Sequence, residues 1–313
     1  MLTYLFFILT VAAIYGLLAH SLSLSWGTTG MVNIGLVGFF AIGAYTSAIL
    51  TRDFGLPVVA GFAAAAAVGW LAGLLVCMST LRLKDEFLAI VTLGFAEVVR
   101  TVAANEIWLT GGTDGISGIP SLFARGEGLM FHIKYFAVAT ALCLASALLL
   151  GFLNGSPWGR VLRAVREDQV VAAVAGKAVA RYKASSFSMS TAIAGLAGGV
   201  YGSYISFIGP DLFMPLITIY VFLAVASGGN ARALGATLGA YVLVSWLEIS
   251  RFITEIIPSL SAVQAASLRE IGIGVALALV LRLAPEGVFR EVNQKAPRAA
   301  AQPAGEPRTA SST

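Results

Sequence analysis

Glu97 and Arg100 are the residues of this chain best placed to do chemistry, because both fall inside an apolar run, 87–104. Standing three positions apart, they share one face of a helix. A charge at membrane depth costs roughly 3 kcal/mol even on the gentler scales, unless it is paired or wetted. Two roles follow from this: a structural ion pair that turns its face into a helix bundle, or groups that line a translocation path. Glu248 and Arg251, also three apart, stand near the end of their apolar run, where an interfacial pair suffices. His20 reads as a packed, hydrogen-bonded residue rather than a proton carrier. Cys77 and Cys143 lie in apolar runs without metal-ligand spacing and read as packing residues.

No catalytic arrangement emerges. His20 and His132 have no neighbouring carboxylate at metal-ligand spacing, so no metal site is expected. There is no serine nucleophile elbow and no nucleotide-binding signature, so no cofactor and no nucleic-acid partner are expected. The stretch from Leu109 to Pro120, LTGGTDGISGIP, matches a phosphate loop only in its glycines and lacks the Lys-Ser/Thr end. If such a chain moves a solute uphill, the energy comes from an ion gradient or from another chain. An ion gradient calls for several intramembrane carboxylates, and Glu97 is the only one near mid-depth. That favours an ATP-hydrolysing partner.

The elements that must hold these residues are membrane helices. Hydrophobic residues make up 58% of the 313, and charged residues only 12%, about half the usual share for a globular chain. The mean hydropathy is +0.86. Apolar segments fall at about 2–24, 31–50, 57–80, 87–104, 132–153, 184–208, 216–228, 233–249 and 270–284. Long uninterrupted runs exclude a β-barrel, whose strands alternate. The expected fold class is all-α, a polytopic transmembrane bundle of about nine or ten membrane segments. Residues 1–290 form this membrane domain. Residues 291–313, rich in Ala, Pro, Gln, Ser and Thr, read as a disordered tail. The N-terminus has no basic leader, so Leu2–Leu24 reads as a retained span.

Between two of these runs lies a charged stretch, PWGRVLRAVREDQVVAAVAGKAVARYK, residues 157–183. Its Arg160, Arg163, Arg166, Lys177, Arg181 and Lys183 fix it in the cytoplasm by the positive-inside rule. Alternation then places Arg82, Lys84, Arg232 and the basic tail inside, with a cytoplasmic C-terminus. Arg52, Arg125, Lys134, Arg251 and Arg269 fall outside. Nine crossings leave the N-terminus outside; a tenth, or a broken or re-entrant second segment, brings it in. Val161, Leu162, Val165, Val170, Val171 and Val174 give the loop an apolar stripe, and Gly176 ends its helix. Glu167 and Asp168 favour the N-terminus of that helix. Ala172 and Ala173 permit close approach of a soluble partner.

Gly27, Gly30, Gly35, Gly38 and Gly43 stud the second segment, with Asn33 near its start. Glycines of this density serve tight helix packing, or else a break that faces a transported solute. The same choice arises at Gly228 and Gly229, between two short apolar runs.

These residues resemble a family. Arg163-Ala164-Val165-Arg166-Glu167-Asp168, then Ala172, Gly176 and Arg181-Tyr182-Lys183, are similar to the coupling loop of branched-chain amino-acid ABC importer permeases of the LivM type. Leu88–Phe95 with Glu97 and Arg100, Thr110-Gly111-Gly112 through Gly118-Ile119-Pro120, and Ala194-Gly195-Leu196-Ala197-Gly198 extend the resemblance. Phe39–Tyr45, Pro210-Asp211 and Gly235 to Ala240 complete it, so that it runs from about residue 5 to 290. It departs at Met31, Asn33 and Leu36, where Met31-Val32-Asn33 is more like the companion permease, and at Ala173, where an acidic residue is common. The resemblance implies an importer subunit in the inner membrane of a bacterium. Two homologous permeases would sit on two cytoplasmic ATPases that bind the ATP, and an external solute-binding protein would deliver branched-chain amino acids or similar small polar solutes. It also implies that the loop from Arg163 to Gly176 couples to the ATPases. An ion-coupled secondary transporter working alone, or a membrane scaffold, are the alternatives from other classes.

Overall fold

The structure is a computed structural model, and it describes residues 1–81, 85–229, 233–256 and 262–283. Among the described residues twelve α-helices follow one another: α1 (Leu2–Leu22), α2 (Leu36–Arg52), α3 (Val58–Thr80), α4 (Asp85–Asn105), α5 (Ile107–Thr110), α6 (Leu129–Gly155), α7 (Pro157–Glu167), α8 (Gln169–Val174), α9 (Val179–Ile205), α10 (Leu216–Gly228), α11 (Ala233–Ile256) and α12 (Ala262–Leu283). Each of the nine apolar segments coincides with one of the long helices. Among the described residues five stretches are long and apolar enough to cross a membrane: Leu2–Thr28, Val58–Thr80, Phe87–Asn105, Leu129–Gly155 and Pro210–Gly228. The molecule is an all-α polytopic membrane bundle. A single two-residue ladder, β1 (Ile116–Ser117) against β2 (Phe207–Ile208), is the β structure among the described residues. The tail 291–313, and Arg82, Lys84 and Arg232, lie outside the described residues.

Lipid tails are as apolar as leucine, so packing rather than water drives membrane helices together, and small residues decide how close they come. Here α9 lies against α2 and α3, and Gly195 is the pivot of the three. A Cβ on Gly195 would overlap the Ala65 carbonyl of α3, and a Cβ on Gly43 would overlap Gly195 itself. Gly35 approaches Thr92 of α4 just as closely, and Gly228 meets Gly235 where α10 packs on α11. Around these contacts, Phe39, Phe40, Phe187 and Phe213 are fully buried, with Phe39 and Phe187 edge to face at 5.8 Å.

The long helix α9 falls short in hydropathy for a reason visible in its partners. Ser186, Ser188, Ser190 and Thr191 point inward and are buried. Ser21 of α1 and Ser190 exchange hydrogen bonds to each other's carbonyls at 2.6 and 2.7 Å. Thr29 and Ser186 pair at 2.6 Å. These hydroxyls serve a stretch of irregular backbone. After Leu22, α1 widens into a π-helical turn, Ser23–Thr28, and the chain then runs without helix to Leu36. The second segment, expected from residue 31, therefore begins five residues later. Gly30 takes φ +82°, a conformation that ends a helix, and the non-helical chain is tolerated because protein covers it.

The bundle has two distinct ends. At one end Phe7 stacks on Tyr204 at 5.8 Å, near the β1–β2 ladder. There Gly111 and Gly115 adopt φ +75° and +69°, so the glycines of 109–120 serve tight turns beside β2. At the other end the π-turn meets α7, and α8 packs on α7.

Candidate functional site

The stretch 157–183 folds as two helices where the sequence suggested one. Pro157 occupies the first turn of α7, and Ser156 caps it by accepting a hydrogen bond from the Gly159 amide at 3.3 Å. Asp168, extended at φ −154°, then breaks the helix and restarts it. Its Oδ1 accepts from the amides of Val170 and Val171 at 2.7 and 3.0 Å, capping α8. Asp168 thus fills the N-terminal role expected for it. Glu167 does not, because it closes α7 at the C-terminal end, where a carboxylate gains nothing from the helix dipole. Gly176 ends α8 as expected. It takes φ +76°, its amide reaches the Ala173 carbonyl at 2.9 Å, and the Lys177 amide reaches that of Ala172 at 3.1 Å. This pair of bonds is a Schellman close. The next helix starts at Val179, so Arg181 and Lys183 belong to α9 rather than to the loop.

The apolar stripe divides between the two helices. Leu162 and Val165 of α7 are wholly buried against the bundle. Val170, Val171 and Val174 of α8 are 72%, 64% and 86% exposed and point away from it. Ala172, expected to admit a partner, is buried at 4% beneath α8, while Ala173 is exposed. The inward turn of a six-residue helix leaves only one small residue facing its support, and that residue is Ala172. Between α7 and α8 lies an open groove of about 480 Å³, lined by Val161, Ala164 and Val171 with Arg160, Glu167 and Lys177 among its charged residues.

Two of the loop's arginines turn toward the bundle. Arg163 donates from Nη1 to the Asn154 carbonyl at 2.9 Å, satisfying the C-terminal end of α6. Arg166 donates from Nη1 to the Gly27 carbonyl in the π-turn. Thr28 donates to Asn154 Oδ1 at 3.2 Å, so Asn154 joins the same junction. Lys183 of α9 donates to Gln169 of α8 at 3.3 Å. These contacts fasten α7 and α8 to three elements of the bundle. Sequence spacing carried no trace of the Arg166–Gly27 contact, since 139 positions separate the two residues.

Above the junction lies the break 29–35. Asn33 is fully buried, and neither its Oδ1 nor its Nδ2 has a hydrogen-bond partner. Leaving such a group unpaired costs on the order of 1–3 kcal/mol. Gly35, at the head of α2, packs on Thr92 of α4, so it combines the packing role with a place in the break. The packing role weighed for these glycines is therefore present, in a segment whose backbone is broken.

Glu97 and Arg100 pair, Nε to Oε2 at 2.9 Å. Their side chains remain 40% and 32% exposed, so the pair stands on the flank of α4 and does not face into this chain's own bundle. The reason is register: Thr92, Ala96 and Ala103 take the buried face. Gly228 serves the α10–α11 contact, and Gly229, at φ +115°, caps α10. They form a packed turn between α10 and α11, which is the packing role weighed for them. His20 is buried with both ring nitrogens engaged, by Ser146 at 2.7 Å and by Thr237 at 2.8 Å. Among the described residues no group of three or more His, Cys, Asp or Glu could hold a metal.

Residues 4–281 match the family described as the branched-chain amino acid transport system permease component. The chain is 35% identical to the high-affinity branched-chain amino acid transport system permease protein LivM of Escherichia coli K12, over 79% of its own length and 64% of the relative's. A probable branched-chain amino acid transport permease protein LivM of Methanocaldococcus jannaschii is 25% identical, over 75% of this chain and 78% of its own. The permease protein LivH of Escherichia coli K12 is 27% identical, over 75% and 80%. This chain thus spans a little under two thirds of the Escherichia coli LivM. No solved structure matches. The chain belongs to the branched-chain amino-acid permease family.

Proposed function

We propose, from this membership, that the chain is one permease subunit of an ATP-driven importer. Its cargo is branched-chain amino acids or similar small polar solutes handed over by an external binding protein. It works beside a second, homologous permease and above cytoplasmic ATPases that bind the ATP. The α7–α8 end faces the cytoplasm, as the basic residues of 157–183 require. The observation that carries this reading is the outward valine face of α8, mounted beside α7, whose Leu162 and Val165 are buried against the bundle. Three adjacent exposed valines on a capped, six-residue helix are costly in water unless something covers them, at about 1–2 kcal/mol each. An ATPase closing on ATP fits that surface, with the α7–α8 groove beside it. Within the bundle, Asn33 and Gly35 mark the solute path, and the Glu97–Arg100 pair stands on the face of α4 open to the second permease. Glu97 is engaged by Arg100, which speaks against its serving as a free ion relay.

The test is Val171→Asp with Val174→Asp. The doubly substituted chain should insert and purify normally but lose at least tenfold in ATPase co-purification. Full recovery of the ATPases would remove the docking surface from α8.

A further inference from the structure

We infer that Arg166 is the positioning residue through which movement of α7 and α8 reaches the buried break at 29–35. This rests on the docking reading above and concerns how its signal enters the membrane. Arg166 sits in the last turn of α7, one turn from the capped start of α8, yet its guanidinium turns away from the partner surface. It grips the chain twice at one place. Nη1 donates to the Gly27 carbonyl, and the Arg166 side chain packs on Gly30, where an added Cβ would stand 3.0 Å from Cγ. That place is also irregular backbone, a π-turn followed by chain without helix. A π-turn holds its chain by wider loops than an α-helix and converts to one by a one-residue change of register, about 1.5 Å of travel. Three residues beyond Gly30 stands Asn33, buried with its amide unpaired. A segment with an irregular turn at one end and an unpaired amide at the other has a second arrangement to gain from, in which Asn33 finds a partner. Arg163, by contrast, donates to the backbone carbonyl of Asn154 at the regular end of α6, and the contact from there to Thr28 is made by the Asn154 side chain rather than by its guanidinium.

The experiment uses the full complex of this chain with its second permease and ATPases in vesicles, supplied with binding protein and labelled leucine. In Arg166→Met the ATPases should co-purify in normal amount and hydrolyse ATP. Leucine uptake should fall at least tenfold, and binding protein should no longer stimulate hydrolysis. Arg166→Lys should recover part of both, and Arg163→Met should keep the stimulation. A Val32→Cys reporter, in a chain with Cys77 and Cys143 replaced by Ala, reads the break directly. Its rate of maleimide labelling should change between nucleotide-free and vanadate-trapped complexes with Arg166 present, and should not change with Met. Unaltered uptake and stimulation in Arg166→Met would overturn the inference. Loss of ATPase co-purification in that variant would do so too, by making Arg166 part of the docking surface. Labelling indifferent to nucleotide with Arg166 in place would overturn it whatever the variants do. Failure of the docking reading itself registers separately, as an unsubstituted chain that captures no ATPase, and takes the inference with it.

Discussion

Glu97 and Arg100 illustrate how a single pair can be legible in type and illegible in placement. Their spacing announced the ion pair, which forms at 2.9 Å. What spacing could not reveal is which side of α4 turns inward. That is decided by Gly35 and Gly38, which press on Thr92 and Ala96 and leave the pair on the flank. The open flank of a membrane helix meets lipid or another chain rather than water, so losing one partner leaves the other charge unpaired at a cost of about 3 kcal/mol. Glu97→Leu or Arg100→Leu should therefore lower the thermal midpoint of the detergent-solubilised chain, and the double replacement should restore most of it. A double variant that melts normally but no longer supports uptake would place the pair on the solute path. Single variants that melt like the parent would show that the pair contributes nothing to folding.

At the scale of elements, the positions of the nine long helices were readable because composition alone marks a run that must leave water. The glycine close of α8 was readable for a similar reason, since a residue without Cβ in that sequence context has few other uses. The division of 157–183 into α7 and α8 was not. Valines recur on both sides of Asp168 at helical spacing, and a one-dimensional stripe does not tell an inward face from an outward one. Asp168 held the clue, as a good cap followed by apolar residues, but it also reads as an ordinary surface charge. The consequence falls on Ala172. Because it is buried beneath α8, Ala172→Trp should distort the loop itself and cut both ATPase capture and thermal stability. Ala173→Trp, on the exposed side, should spare stability while weakening capture. Equal behaviour of the two variants in both assays would contradict the orientation of α8. The start of α2 was misplaced for a comparable reason: an apolar, glycine-rich stretch looks helical in hydropathy, and only Gly30 at φ +82° with the hydroxyls of α9 explains why it is not.

The whole molecule is a bundle with an exposed valine face on α8 at one end and an irregular buried segment above it. The function proposed for it is that of a conduit driven by another protein. The family match from residue 4 to 281 agrees with the extent of the bundle. Its dependence on a motor is the central claim, and vesicle uptake tests it most directly. The chain reconstituted alone should not accumulate leucine. The chain with its second permease, ATPases and binding protein should do so only with ATP on the α7–α8 side, and an ionophore should not abolish it. Uphill uptake by the chain alone, collapsing when an ionophore is added, would contradict the claim and make the protein an ion-coupled transporter.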